Sequence, residues 1–178
     1  GNQLTFIDVS ENKKLKSLGC GNNQIETIYG LPECTALEEL WCDNNQLTEL
    51  DLSKNTALAT LSCTDNQLTS LDLSKNTLLE RLDCYNNQLT TLDLSACTNL
   101  EYLYCNNNRL TTILTAPGTP KDDFSCKNNC LKGRVMTDIV NNLPVVEGKA
   151  IYFRSMKDTE ENEMTSAQVN IATGKGWN

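Results

Sequence analysis

Apolar and polar residues alternate along this chain in a short unit that keeps returning. Leu37-Glu38-Glu39-Leu40-Trp41-Cys42-Asp43-Asn44-Asn45-Gln46-Leu47 recurs at 58–68, 79–89 and 100–110. An earlier copy spans 15–25, and a worn one ends in Phe124, Cys126, Asn129 and Leu131. Within the Leu-x-Cys core of each unit, period-two alternation predicts a short strand with Leu and Cys inward and the other side chains outward. After a turn, Leu47, Leu50 and Leu52 return along the opposite side of the coil, as do Leu68, Leu71 and Leu73, then Leu89, Leu92 and Leu94. That half alternates as Leu-Asp-Leu-Ser, so it is expected to be extended, with little helix. No coil buries its apolar side alone; stacked coils share one core.

The asparagine that closes each strand marks the period. Asn2, Asn23, Asn45, Asn66, Asn87, Asn108 and Asn129 are 21 residues apart, with a single step of 22. The pattern decays after Ile113, where Pro117, Gly118 and Pro120 mark a distorted loop. Thr137 to Leu143 reads as a short helix stopped before Pro144. Ala150 to Phe153 reads as a last strand, 154–165 as a charged loop, and Ala167 to Thr173 as a helix ended by Gly174, with Trp177 folding back onto the core. Terminal repeats are atypical because they must shield that core from water. Residues 1–114 are therefore expected to form the repeat array and 115–178 degenerate repeats with a cap. Gly1-Asn2-Gln3-Leu4 read as the middle of a repeat, so any export or anchoring signal is expected to lie upstream of them.

The unit L-x-x-L-x-C-x-x-N-x-L is the leucine-rich-repeat signature with cysteine at a position usually held by leucine. The extended form L-x-x-L-x-C-x-x-N-Q-L-T-x-L-D-L-S-x-N-T resembles bacterial leucine-rich repeats of the internalin-like kind. It is most similar to versions on secreted and surface proteins of Bacteroidetes, and Ile171 to Trp177 resembles an ending common there. The resemblance implies a leucine-rich-repeat right-handed solenoid of the α/β horseshoe class. Its parts are a parallel concave β-sheet, a mostly extended convex side and a small C-terminal helical cap. It also implies a place at the bacterial cell surface or in secretion, and a binding or adhesion role.

Composition narrows the function. The chain of 178 residues is 39% apolar, carries a formal charge of −8 and has no histidine. An acidic chain without a basic face argues against nucleic acid as a partner. No run approaches the roughly 20 apolar residues of a membrane span. Lack of histidine removes the usual general base, the usual catalytic triads and the commonest metal ligand. No enzyme activity and no cofactor are expected, and the molecule is expected to be a monomer.

Three columns of side chains invite chemistry. Cys20, Cys42, Cys63, Cys84, Cys105 and Cys126 share one inward position; a metal or redox ladder stands against a row of buried thiols acting as small hydrophobes. One thiol per rung makes a line, whereas zinc wants four converging ligands. Cys34 and Cys97 replace the asparagine seen at Asn55 and Asn76, and Cys126-x-x-x-Cys130 is a weak motif. The closing asparagines suit bonding to backbone groups that the turn leaves unpaired. Asp51, Asp72 and Asp93 stack on the convex side, where calcium and simple bonding to hydroxyls and to Lys54 or Lys75 both remain open.

The outward positions of the concave strands have no core duty, so they carry the candidate site. Along the stack they run Ser17, Gly19, Gly21; Glu39, Trp41, Asp43; Thr60, Ser62, Thr64; Arg81, Asp83, Tyr85; Tyr102, Tyr104, Asn106; Asp123, Ser125, Lys127. The chain has only two tryptophans, five tyrosines and three phenylalanines, so Trp41, Tyr85, Tyr102 and Tyr104 on one face are a concentration. Such residues, with arginine, dominate binding hot spots. Arg81 lies beside Tyr102 on the neighbouring strand, positioned for a cation–π contact. The alternative is that the rings only pack across strands. Trp41, Asp43, Arg81, Asp83, Tyr85, Tyr102 and Tyr104 are the expected contacts to a protein or glycan ligand. A structural spacer within a larger surface protein is the competing role.

Overall fold

The alternation of inward leucine with outward polar residues produces strands only two to four residues long. The computed structural model describes residues 2–149, the backbone of 151–152, and residues 162–177. Its elements are β1 (Phe6–Asp8), β2 (Ser17–Gly19), β3 (Thr27–Tyr29), β4 (Glu39–Trp41), β5 (Thr60–Ser62), β6 (Arg81–Asp83), β7 (Thr91–Leu94), β8 (Tyr102–Tyr104), β9 (Thr112–Thr115), β10 (Asp123–Ser125), α1 (Arg134–Asn142), β11 (Ile151–Tyr152) and α2 (Ser166–Gly174). Seven strands form one parallel sheet in the order β11-β10-β8-β6-β5-β4-β2. Leu18, Leu40, Leu61, Leu82, Leu103 and Phe124 occupy one register row. On the opposite side, β1 pairs with β3 and β7 with β9, both parallel. The leucine returns of the intervening coils are extended without strand pairing.

The inward residues make one continuous core. Leu37, Leu40, Leu58, Leu61, Leu79, Leu82, Leu100 and Leu103 are fully buried, as are the thiols of Cys42, Cys63, Cys84 and Cys105. Each such leucine contributes about 1.5–3 kcal/mol by leaving water, so the coils hold together through shared faces.

Each strand ends in a turn that needs a left-handed residue. Asn22, Asn44, Asp65, Asn86, Asn107 and Asn128 have φ between 52° and 59°, a region that asparagine and aspartate enter more readily than other side chains. The next residue is the periodic asparagine. The Asn87 amide nitrogen lies 2.9 Å from the Cys63 carbonyl, 3.2 Å from that of Cys84 and 3.3 Å from that of Tyr85, while its Oδ1 accepts from the Leu68 N–H at 3.0 Å. Asn45, Asn66, Asn108 and Asn129 repeat this set. The amide thus ties each coil to the one before it.

The C-terminal part follows the expected outline with shifted boundaries. Helix α1 begins three residues earlier than its apolar spacing suggested, directly after Gly133 at φ 55°, and buries Met136, Ile139 and Val140. Helix α2 starts at a capping box, with the Gln168 N–H donating to the Thr165 hydroxyl and the Thr165 N–H to Gln168 Oε1. Gly174 is its last helical residue instead of the one after it. Strand β11 extends the main sheet beside β10; the expected strand ends at Ala150 and Phe153, and the expected loop over 154–161, lie outside the described residues. Trp177 is fully buried and its indole N–H donates to the Pro144 carbonyl at 2.9 Å. Asn162 takes the clamp position of the next coil, donating to the Cys126 carbonyl at 2.7 Å and accepting from the Leu131 N–H at 2.8 Å.

Replacing Asn87 with alanine strands one buried N–H and at least one carbonyl, at about 1–3 kcal/mol for each unsatisfied group. We expect Asn87→Ala to lose about 3 kcal/mol in urea unfolding followed by circular dichroism. Asn86→Gly, next to it in sequence but suited to φ 55°, should lose less than about 1 kcal/mol.

Candidate ligand-binding face

The outward side chains of the main sheet fall into two register rows. One runs Ser17, Glu39, Thr60, Arg81, Tyr102, Asp123; the other Gly19, Trp41, Ser62, Asp83, Tyr104, Ser125. Asp43 and Tyr85 belong to a third row just beyond the strands. The structure brings all seven candidate residues onto this face but divides them into two regions. At one end Trp41 is 38% exposed, and among the described residues nothing accepts from its indole N–H and no ring or cation packs on it. At the other end Arg81 grips Asp83 through Nε and Nη2, at 3.0 and 2.9 Å from Oδ2. Its guanidinium carbon lies 5.6 Å from the Tyr102 ring centre and 5.3 Å from that of Tyr104.

That second region is interlocked instead of open. The Tyr102 hydroxyl donates to Asp122 at 3.0 Å and the Tyr104 hydroxyl to Asp123 at 2.6 Å, while Lys149 reaches Asp122 at 2.7 Å. Burial raises the Tyr104 pKa, and the hydrogen bond to Asp123 adds to the shift. Burial also raises the Asp83 carboxyl, with Arg81 opposing it. Tyr85, Tyr102 and Tyr104 are half-buried and Asp83 is buried. Sequence spacing placed Arg81 beside Tyr102 and put Asp123 on the same face; it gave no sign that Asp122 and Lys149 join them in one network, since Lys149 lies beyond the last regular repeat.

Residues 77–117 match the family model described as leucine-rich repeats, two copies. Together with the parallel sheet and the period, this settles the architecture. The chain folds as a leucine-rich-repeat solenoid. Its fold is similar to that of an internalin (inlF) from Listeria monocytogenes, with 23% identity and a TM-score of 0.71 over 95% of this chain and 48% of that one. A leucine-rich-repeat protein of Leptospira interrogans gives 18% identity and a TM-score of 0.59 over 96% of this chain and 50% of that one. The functional domain of InlJ from Listeria monocytogenes, described as including a cysteine ladder, gives 25% and 0.47 over 97% and 50%. The chain spans about half the length of each of these structures. No curated protein matches it by sequence.

The other columns of the leucine-rich repeat are explained by local bonding. Burial drives the Cys42, Cys63, Cys84 and Cys105 thiols well above their ordinary pKa and Cys20 up to about 11. Cys42 and Cys105 point their sulfurs at the Ser62 and Ser125 carbonyls, at 3.4 and 3.5 Å. Cys97 approaches the Asn76 carbonyl at 3.7 Å, a weak substitute for the 2.9 Å bonds that Asn55 and Asn76 make in the same column. In the Asp51, Asp72 and Asp93 column each carboxylate accepts from the backbone N–H two residues on, at 2.9 Å. Hydrogen bonds from Ser53, Ser74 and Ser95 hold those carboxyls below their ordinary pKa. Among the described residues no group of three Cys, Asp or Glu is placed to hold a metal ion, and no helix is long and apolar enough to cross a membrane.

Two features escaped the sequence reading. The left-handed residues form an exposed side-chain ladder, Asn44 to Asn22, Asn86 to Asp65, Asn107 to Asn86 and Asn128 to Asn107; the Asn or Asp before each periodic asparagine from Asn23 to Asn129 was the available signal. On the convex side, Phe6 and Tyr29 meet edge to face at 6.0 Å, both more than half exposed.

The raised thiol pKa values fix a pH dependence. Cys20 ionises in the unfolded chain near its ordinary value of 9.0 and in the folded one at about 11, so the folded state retains the proton over that window. Its contribution is intact below pH 9 and falls as pH climbs through 11. The urea midpoint should hold steady from pH 7 to 8.5 and drop between pH 9 and 11. At pH 8, iodoacetamide should label the ladder thiols slowly in the folded protein and quickly in urea; rapid labelling of the folded form contradicts their burial.

Proposed function

We propose that this solenoid is a non-catalytic binding module of the bacterial cell surface, or of a secreted protein, that grips a protein ligand on its concave face. Its likeness to internalin-type solenoids supports the setting, and the resemblance of its repeats to Bacteroidetes surface proteins points the same way. The observation that carries the reading is Trp41: a large aromatic held outward on a rigid sheet, 38% exposed and without a ring, cation or indole N–H partner among the described residues. A surface built from fixed backbone and short strands is already ordered, so docking costs it little conformational entropy. Without histidine, and with its ladder thiols buried and reluctant to ionise, the face has no activated nucleophile on which to build a reaction. A glycan is the alternative ligand class.

A second reading, a spacer within a larger surface protein, draws on the exposed Leu4 and Phe6 of the first coil. Solution size separates the two, since end-to-end association without ligand favours the spacer. For the binding reading, the probe is a panel of immobilised extracellular-matrix proteins with a parallel glycan array. The triple variant Trp41→Ala, Tyr85→Ala, Tyr104→Ala should weaken capture by more than about 30-fold, as loss of hot-spot aromatics does. Its circular dichroism should stay that of the parent. Undiminished capture by a folded triple variant rejects this face.

A further inference from the structure

We propose that the open end of the concave face receives a cationic side chain, an arginine or lysine of a basic protein segment, laid on Trp41 between Glu39 and Asp43. The inference rests on the concave-face reading and adds the chemistry of its occupant.

Three observations meet at this point. First, Trp41 has minimal neighbours across the strands: Gly19 is its register partner on β2 and Ser62 on β5. A side chain built on Gly19 meets nothing within 4 Å, so β2 offers a bare shelf beside the indole. The three other aromatic residues of the face differ, since Tyr102 and Tyr104 are already spent on Arg81 and on carboxylates and Tyr85 is half-buried.

Second, the flanking outward positions of β4 and its extension are both acidic. Glu39 and Asp43 lie two residues either side of Trp41, about 6–7 Å along the strand. Glu39 uses Oε2 to accept from the Ser17 hydroxyl at 3.0 Å, which steadies the carboxylate. Asp43 lies over Gly21, where an added Cβ would come within 2.8 Å of its carboxylate; the glycine is what lets that acid occupy its place.

Third, the cations of the flanking coils on this side are committed. Lys16 pairs with Glu38 at 2.7 Å and Arg81 with Asp83 at 2.9 Å. An exposed indole face flanked by two carboxylates, with neither neighbouring cation available to cover it, attracts a guanidinium or ammonium through the ring quadrupole and through charge. An anionic ligand meets repulsion there.

The test uses the indole N–H resonances. Trp41 and Trp177 give two, assigned with Trp41→Phe. The probe is the capped tripeptide Gly-Arg-Gly, with its citrulline counterpart as a neutral isostere. The Trp41 resonance should move and saturate with the arginine peptide while that of Trp177, buried against the Pro144 carbonyl, stays put. Citrulline, or the double variant Glu39→Gln, Asp43→Asn, should weaken binding roughly three- to tenfold, and raising salt should weaken it as well. Equal response to citrulline, or no movement of Trp41, overturns the inference. In the panel screen, loss of capture by the double variant supports it. Capture retained by the double variant but lost by the aromatic triple variant overturns the cationic occupant and leaves the concave-face reading standing.

Discussion

The concave strands β2, β4, β5, β6, β8 and β10 of this solenoid each stop after three residues, and the chain must then turn inside a stack of other turning chains. Such a turn leaves N–H and C=O groups away from water with no strand to pair with, which is costly for each group left bare. The asparagine after the left-handed residue supplies the missing partners. Its amide donates to carbonyls of its own coil and of the coil before, and its oxygen takes the N–H two residues after the preceding coil's asparagine. Side-chain amides thus do between coils what backbone ladders do between strands. The leucine core supplies the cohesion, but the clamp fixes the spacing and the register at which the leucines meet.

Register decides what the concave face presents. With Leu40 and Cys42 inward, Trp41 has to be outward; a slip of one residue would exchange the two sets. The same rigidity creates two unlike regions. Where neighbouring outward residues are long and complementary, as with Arg81, Asp83, Tyr102 and Tyr104, they satisfy each other and become part of the scaffold. Where the neighbours are glycine and serine, the outward residue is left over. An aromatic is therefore available to a ligand according to what stands beside it on the next strand, more than according to its own identity.

The repeat array was readable because periodicity reports a physical constraint: the same position must do the same work in every coil. Cys42, Asn45 and Leu47 could be assigned inward or clamping duties from spacing alone, and Trp41 outward by exclusion. Spacing put Asp123 on the same face as Tyr102 and Tyr104. The bonds that join these tyrosines to Asp122 and Asp123 depend on side-chain reach, and Lys149 comes from a segment where the period has lapsed, so the network was not readable as a whole. Asn162 makes the point sharply. It performs the clamp for the last coil from 33 residues beyond Asn129 instead of 21, so function at that position persisted while spacing did not. The boundaries of α1 and α2 shifted for a smaller reason: Gly133 and the Thr165–Gln168 capping box set the helix starts, and apolar spacing reports only the buried middle.

The two tryptophans show how little a residue type reveals without its position. Trp177 closes the end of the core, fully buried, with its polar N–H satisfied by a carbonyl. Trp41 sits on the fixed sheet, and among the described residues nothing accepts from that same group. Burying an indole in water's absence is favourable by its area alone, so a chain that holds one outward on a rigid scaffold forgoes that gain in the free state and recovers it when something covers the ring. A mobile loop would let such a ring fold back and cover itself. The three-residue strand, pinned on both sides by its neighbours and at its end by Asn45, does not, so the clamp between coils is also what keeps the indole outward.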